Sequence, residues 1–115
     1  MIDDFLRLSV LFDFYGALLT DKQQECLRMH LYQDWSLSEI AAALNISRQA
    51  AYDMIHRCEI TLEKYENKLR LIEKHDALQN ALKDILSDID LLKADYRSEK
   101  VRDVDRKINT LLETR

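Results

Sequence analysis

What the chain lacks bounds it first. There is no proline and a single glycine, Gly16, in 115 residues. With almost nothing to punctuate the backbone, the expectation is an all-helical protein. Cysteine is scarce: Cys26 and Cys58 form no CxxC pair and no metal spacing, and both sit among apolar helical positions, which points to buried thiols in a reducing compartment. Long apolar runs are missing as well. The start, MIDDFLRLSV, is acidic and too short in apolar run for a signal peptide, and no stretch approaches a membrane span. The reading is a soluble, cytoplasmic protein with no membrane partner. An excess of positive charge is also absent: 17 Lys and Arg against 21 Asp and Glu give a net charge of −4, which counts against strong non-specific binding of nucleic acid. One glycine cannot build a phosphate-cradling loop, and no spacing argues for a Ser-His-Asp or Cys-His arrangement, so neither enzyme chemistry nor a cofactor is expected. The three histidines, His30, His56 and His75, have no His or Cys at i+3 or i+4, and no metal site is expected.

Hydrophobic residues make up 47% and charged residues 33%, which suits amphipathic helices and argues against disorder. The most organised stretch is Ser36 to Arg57, SLSEIAAALNISRQAAYDMIHR. Ser36 followed by Glu39 has the form of a capping box. Leu37, Ile40, Ala41 and Leu44 then recur at helical spacing. Asn45 comes next, one of the few residues that tolerates the left-handed conformation of a sharp turn. Ile46 would tuck into the crevice between two helices, and Ser47 is a second N-cap type. Ala41 and Ala51 are small enough for the two helices to cross closely. This is a helix-turn-helix pattern, whose second helix is the one that enters a groove.

Along the rest of the chain, residues 3 to 17 read as a first helix. Phe5, Leu8, Phe12 and Tyr15 share one face, and Asp3 and Asp4 suit its N-terminal end. Thr20 caps a helix from about Asp21 to Tyr32, with Cys26, Leu27, Leu31 and His30 toward its inner side. Gln33, Asp34 and Trp35 form a connector in which Trp35 is expected to pack. After Arg57 the residues Ile55, Cys58, Leu62, Tyr65, Leu69 and Ile72 continue in steps of three and four. The recognition helix is therefore expected over about 47–73, with a turn at His75-Asp76. Leu78, Leu82, Ile85, Ile89, Leu92 and Tyr96 form one further seam. Ser98 caps a last helix with Val101, Val104, Ile108 and Leu111 inward. The expected division is a helix-turn-helix domain over 1–74 and a helical hairpin over 75–115. Seams this regular need a covering surface, so the arm packs within one chain or builds a homodimer or higher oligomer.

The stretch LTDKQQECLRMHLYQDWSLSEIAAALNISRQAAYDMIHR, from Leu19 to Arg57, resembles region 4 of bacterial sigma factors through its helix, its S-L-S-E-I-A and its I-S-R. The fold expectation is all-α: a sigma-region-4-like helix-turn-helix domain with a long helical C-terminal arm. A wider likeness runs from Leu11 to Leu69, through LFDFYGALLTDKQ, SLSEIA, SRQAAYD and RCEITLEKYENKL, and resembles the YlxM family of small helix-turn-helix proteins of Gram-positive bacteria. That resemblance implies a cytoplasmic regulatory protein of the signal recognition particle pathway, with DNA, RNA or components of the particle as partners.

The candidate nucleic-acid-binding residues are Arg48, Gln49, Tyr52 and His56, which project from the recognition helix away from Ala51 and Ile55, together with Arg57 and Lys22, placed to reach phosphates. Arg and Gln are the side chains that make paired hydrogen bonds to guanine and adenine edges. Asp53 departs from the resemblance: it stands where a sigma-type helix carries a basic residue. Tyr52, Arg48 and Arg57 also suit stacking on structured RNA. Two readings stay open at this point. One is a nucleic-acid-binding regulator. The other is an interaction module that holds the particle's GTPase or its receptor without binding DNA.

Overall fold

A computed structural model describes residues 2–95 and 99–113, and among these every regular element is a helix. Helix α1 spans Ile2–Tyr15 and passes through a 3₁₀ turn, Gly16–Leu18, into α2 at Asp21–Leu31. Helix α3 is Leu37–Leu44, α4 is Arg48–Leu69, α5 is Leu71–Asp95 and α6 is Glu99–Glu113. The chain divides into two compact units, Met1–Ile72 and Glu73–Arg115.

The first unit is built around α4. Leu8, Leu11, Phe12 and Tyr15 of α1, Cys26, Leu27, Met29 and Leu31 of α2, Ile40 and Ala41 of α3, and Ala51, Ile55, Cys58 and Leu62 of α4 close into one buried cluster. Helices α2, α3 and α4 start where their capping residues Thr20, Ser36 and Ser47 say they should. Thr20 Oγ1 accepts from the Gln23 N–H at 3.2 Å while the Gln23 side chain accepts from the Thr20 N–H at 3.1 Å, a reciprocal capping box. Gly16 lies against Phe12: a Cβ there would stand 2.8 Å from the ring, so the close approach of turn and helix requires glycine. Both cysteines are buried and free. Burial pushes the Cys58 thiol up to about 11, with the neighbouring Cys26 and Glu59 adding to it, so it stays an unreactive thiol at neutral pH. Two aromatic expectations are corrected. Phe5 is 38% exposed and meets His30 edge-on at 5.7 Å, while Leu11 takes the inward place. Trp35 is 36% exposed, on a connector that turns through a left-handed Asp34.

The recognition helix ends earlier than the sequence pattern suggests. It stops at Leu69 rather than near Glu73, and His75-Asp76 lies inside α5 rather than at a turn. The bend is at Arg70, which adopts the left-handed conformation with φ 53°, a position that costs a non-glycine residue roughly 1 kcal/mol or more. Three groups hold it there. The Arg70 N–H donates to the Glu66 carbonyl at 2.8 Å. The buried Glu66 carboxylate accepts from the Ile72 N–H at 3.0 Å and from the Tyr15 hydroxyl. That same hydroxyl accepts from the Leu71 N–H at 3.1 Å. The first N–H groups of α5, which have no partner within their own helix, are thus capped by side chains from α4 and α1. Burial, then the hydrogen bond to Glu66, pushes the Tyr15 phenol above its ordinary pKa.

The second unit is a pair of helices joined by a Lys93–Asp105 ion pair at 2.6 Å. Ile89 and Ile108 are its buried residues, with Leu82, Leu86, Val101 and Leu112 half-buried. The expected seams are rotated. Leu78, Ile85 and Leu92 on α5, and Val104 and Leu111 on α6, are exposed. Leu86 and Leu112 take the inner positions instead, beside the buried Ile89 and Ile108. Tyr96 and Ser98 lie outside the described residues. No helix among the described residues is long and apolar enough to cross a membrane.

Candidate nucleic-acid interface

The geometry of the α3–turn–α4 segment follows from short-range rules. Ser36 Oγ accepts from the Glu39 N–H at 3.1 Å, and the Glu39 carboxylate accepts from the Ser36 N–H at 3.1 Å, which fixes where α3 begins. At its other end Asn45 is left-handed, with φ 55° and ψ 47°. The Asn45 N–H donates to the Ala42 carbonyl at 3.3 Å and the Ile46 N–H to the Ala41 carbonyl at 3.0 Å. This pair of bonds is a Schellman ending, and it turns the chain sharply into the next cap. Ser47 Oγ then accepts from the Ala50 N–H at 3.0 Å and starts α4. Ile46 packs against the core, while Ala41 and Ala51 are buried. The turn is therefore anchored on one side, and the opposite face of α4 is left to solvent.

Arg48, Gln49, Tyr52, His56 and Arg57 are all exposed. Arg48, Gln49 and Tyr52, with Leu37 of α3, line a shallow hollow of about 530 Å³. The Tyr52 and His56 rings lie nearly parallel, 8° apart in plane and 6.3 Å between centres, one turn apart along the helix. His56 Nδ1 is 3.9 Å from the Glu59 carboxylate. Arg57 lies beyond the hollow, and Lys22 projects, exposed, from the second position of α2. The structure thus brings Arg48, Gln49 and Tyr52 together, sets His56 beside Tyr52, and leaves Arg57 and Lys22 outside the hollow.

One member of the face has a partner that spacing alone did not assign. The Gln49 amide donates to the Asp53 carboxylate at 3.0 Å. The i, i+4 relation was the available signal, since Gln and Asp at that spacing pair on a helix surface. Its consequence is chemical. The amide is held in one orientation, and an incoming base edge must either displace the carboxylate or use it as an acceptor beside Gln49. Leu37 was also missed as part of this surface: its spacing reads as core, yet it is half-buried and forms the hollow's wall.

Acidity rises toward the far end of α4. Glu59 and Glu63 are half-buried, and Glu63 is engaged by the Arg7 guanidinium through two bonds of 2.9 and 3.1 Å. An anion approaching α4 would meet the Arg48 guanidinium at its N-terminal end, while of the two glutamates farther on Glu63 is already offset by Arg7.

Comparisons with known proteins agree with this geometry. A family model described as "Putative helix-turn-helix protein, YlxM / p13 like" (UPF0122) matches residues 2–104. A UPF0122 protein of a Thermoanaerobacter species is 45% identical over 101 residues, covering 88% of this chain and 86% of its own. One from Caldanaerobacter subterraneus is 51% identical over 85 residues, covering 74% and 73%. One from Lacticaseibacillus casei is 42% identical over 112 residues, covering 97% and 91%.

Proposed function

The chain belongs to the YlxM/p13-like helix-turn-helix family, and on that footing we propose that it is a non-enzymatic regulatory protein that binds nucleic acid through the outer face of α4. The observation that carries this reading is the exposed trio Arg48, Gln49 and Tyr52, set on the first turns of a helix whose start is fixed by the Asn45 turn and the Ser47 cap. Arg48 and Gln49 are assigned to base edges, Tyr52 and His56 to stacking or sugar contact, and Arg57 and Lys22 to phosphates. With a net charge of −4, affinity rests on this local patch rather than on a general positive field. The resemblance of Leu11–Leu69 to the YlxM family supports a place in the signal recognition particle pathway, in the cytoplasm.

A gel-shift titration of duplex DNA and of particle RNA at low salt tests the reading. Replacing Arg48 and Arg57 by Ala weakens binding at least about tenfold, the loss expected from two charge-assisted contacts. No binding to either nucleic acid, or binding indifferent to the double substitution, rejects it.

The acidic half of α4 favours one second reading, a module that holds the particle's GTPase or its receptor. Capture of those purified proteins that survives moderate salt and needs residues 75–115 would select it, since phosphate-driven affinity falls steeply with salt.

A further inference from the structure

The Gln49–Asp53 pair stands where α4 turns farthest from the core. Ala51, Ile55, Cys58 and Leu62 form the buried row of the helix. At 3.6 residues per turn, Asp53 lies roughly 170° around the helix from the middle of that row, and Gln49 roughly 150°. Arg48 and Tyr52 are on one flank of the pair and Arg57 is on the other. Asp53 is half-buried beside the exposed Gln49. The Gln49 amide engages Oδ1 of Asp53 at 3.0 Å, and among the described residues Oδ2 accepts no hydrogen bond. Among the described residues neither Asp53 nor Arg48 takes part in an ion pair. A carboxylate bonded to a neutral amide, with no cation of its own, thus occupies the middle of the face assigned to nucleic acid.

The chemistry of a groove limits what can meet that carboxylate. Phosphates repel it. Guanine and thymine present only O6, N7 and O4 along the major groove, all of them acceptors. An ionised carboxylate is itself acceptor-only. The donors on that side are the exocyclic amino groups, N6 of adenine and N4 of cytosine. In each base pair one base carries such an amino group and its partner carries a keto oxygen. A carboxylate therefore distinguishes which strand bears the amino base. A free Gln amide does not, because it holds a donor and an acceptor and can turn over to suit either edge. Beside Asp53 the Gln49 amide cannot turn over, since its carbonyl oxygen would then face the carboxylate. The major groove of A-form RNA is too deep and narrow for side chains to read, so the ligand in question is duplex DNA.

Resting on the nucleic-acid reading above, we infer that Asp53 determines sequence specificity: it accepts a hydrogen bond from the exocyclic amino group of adenine or cytosine in the major groove of duplex DNA and excludes guanine and thymine from that position. Asp53 lies in the N-terminal half of α4, the part of a recognition helix that reaches base edges. Its charge opposes the phosphates at every site and is offset only where an amino base stands opposite. The residue thus lowers affinity for DNA at large and raises discrimination, which is selection by a repulsive element.

Selection from a randomised pool of duplex DNA by the full-length protein at low salt, followed by sequencing, tests this. The natural protein is expected to enrich one position at which adenine, cytosine or both outnumber guanine and thymine about tenfold, the discrimination of one well-placed base contact. The split between adenine and cytosine tells which amino group is read. Asp53→Asn keeps the size of the side chain but offers a donor as well as an acceptor, so the bias at that position falls to about twofold or less. Its affinity for the unselected pool rises, because a charge of the same sign as the phosphates has gone. Gln49→Ala retains the bias, since the carboxylate remains. Neither residue belongs to the buried cluster, so both variants keep the fold, and circular dichroism checks it. A bias kept in Asp53→Asn, or lost in Gln49→Ala, overturns the inference and leaves the nucleic-acid reading standing. Enrichment with no position favouring amino over keto bases does the same. No enrichment by the natural protein or either variant overturns that reading and the inference together.

Discussion

The two units place their apolar side chains in opposite ways. Sixteen buried residues from α1 to the start of α5 form one cluster, and the exposed side chains of α4 over that cluster are mainly polar. In the second unit only Ile89 and Ile108 are buried among the described residues, while Leu78, Ile85, Leu91, Leu92, Val104 and Leu111 face water. The difference teaches what hydrophobic periodicity can and cannot say. A repeat of three and four identifies an apolar face. What covers that face, whether the same chain or another molecule, depends on whether enough other helices converge on it.

The comparison breaks most visibly at Ala51, which is 0% exposed. Ala51→Arg puts a long cation into the crossing of α3 and α4 and is expected to cost at least about 4 kcal/mol, unfolding the first unit. A thermal melt by circular dichroism checks it, and a native-like transition would mean the helix crossing is wrong. Next come truncations chosen one from each unit. Leu27→Ala empties a fully enclosed site and is expected to cost about 3–4 kcal/mol, while Ile89→Ala, in the thinner core, costs about 2. Urea unfolding of both variants sharpens the contrast, and the reverse order would erase it.

Smaller effects come from the polar latch at the α4–α5 bend. Tyr15→Phe removes a donor to Glu66 and an acceptor for the Leu71 N–H, and is expected to cost about 1–2 kcal/mol. Glu66→Gln tests the same latch with the volume kept. A loss below a few tenths of a kcal/mol in both would show that Arg70 holds its left-handed turn without them. The smallest effect is a pH slope. Burial holds the His30 imidazole below its ordinary value of 6.5, with Glu59 and Asp34 partly opposing. The native state therefore favours neutral His30: its contribution is fully present above pH 6.5 and is lost as pH falls through the lowered native value. Melting temperatures measured on either side of that range should decline toward acid, and His30→Gln should flatten that part of the slope.

How much was legible in advance follows the same divide between local and distant causes. The caps at Thr20, Ser36 and Ser47 and the turn at Asn45 were readable because each depends on residues within five positions. The exposed face of α4 was readable because Arg48, Gln49 and Tyr52 lie off the row formed by Ala51, Ile55 and Cys58. The bend at Arg70 was not readable. Arginine carries no turn preference, and the groups that stabilise the bend include a tyrosine 51 positions from Glu66. Polar His75-Asp76 resembled a turn and is helical, because the chain had already bent at Arg70. On α6 the repeat was read with Leu111 inward, and the structure turns Leu112 inward and Leu111 to solvent.

The proposed recognition surface is the N-terminal half of α4, in the densely packed first unit. Backbone amide NMR shifts recorded while a nucleic-acid duplex or particle RNA is added at low salt test it directly. The predicted result is a set of shifts concentrated in residues 47–57, with 78–113 unmoved. Shifts confined to the C-terminal helices, or none anywhere at saturating ligand, would contradict it.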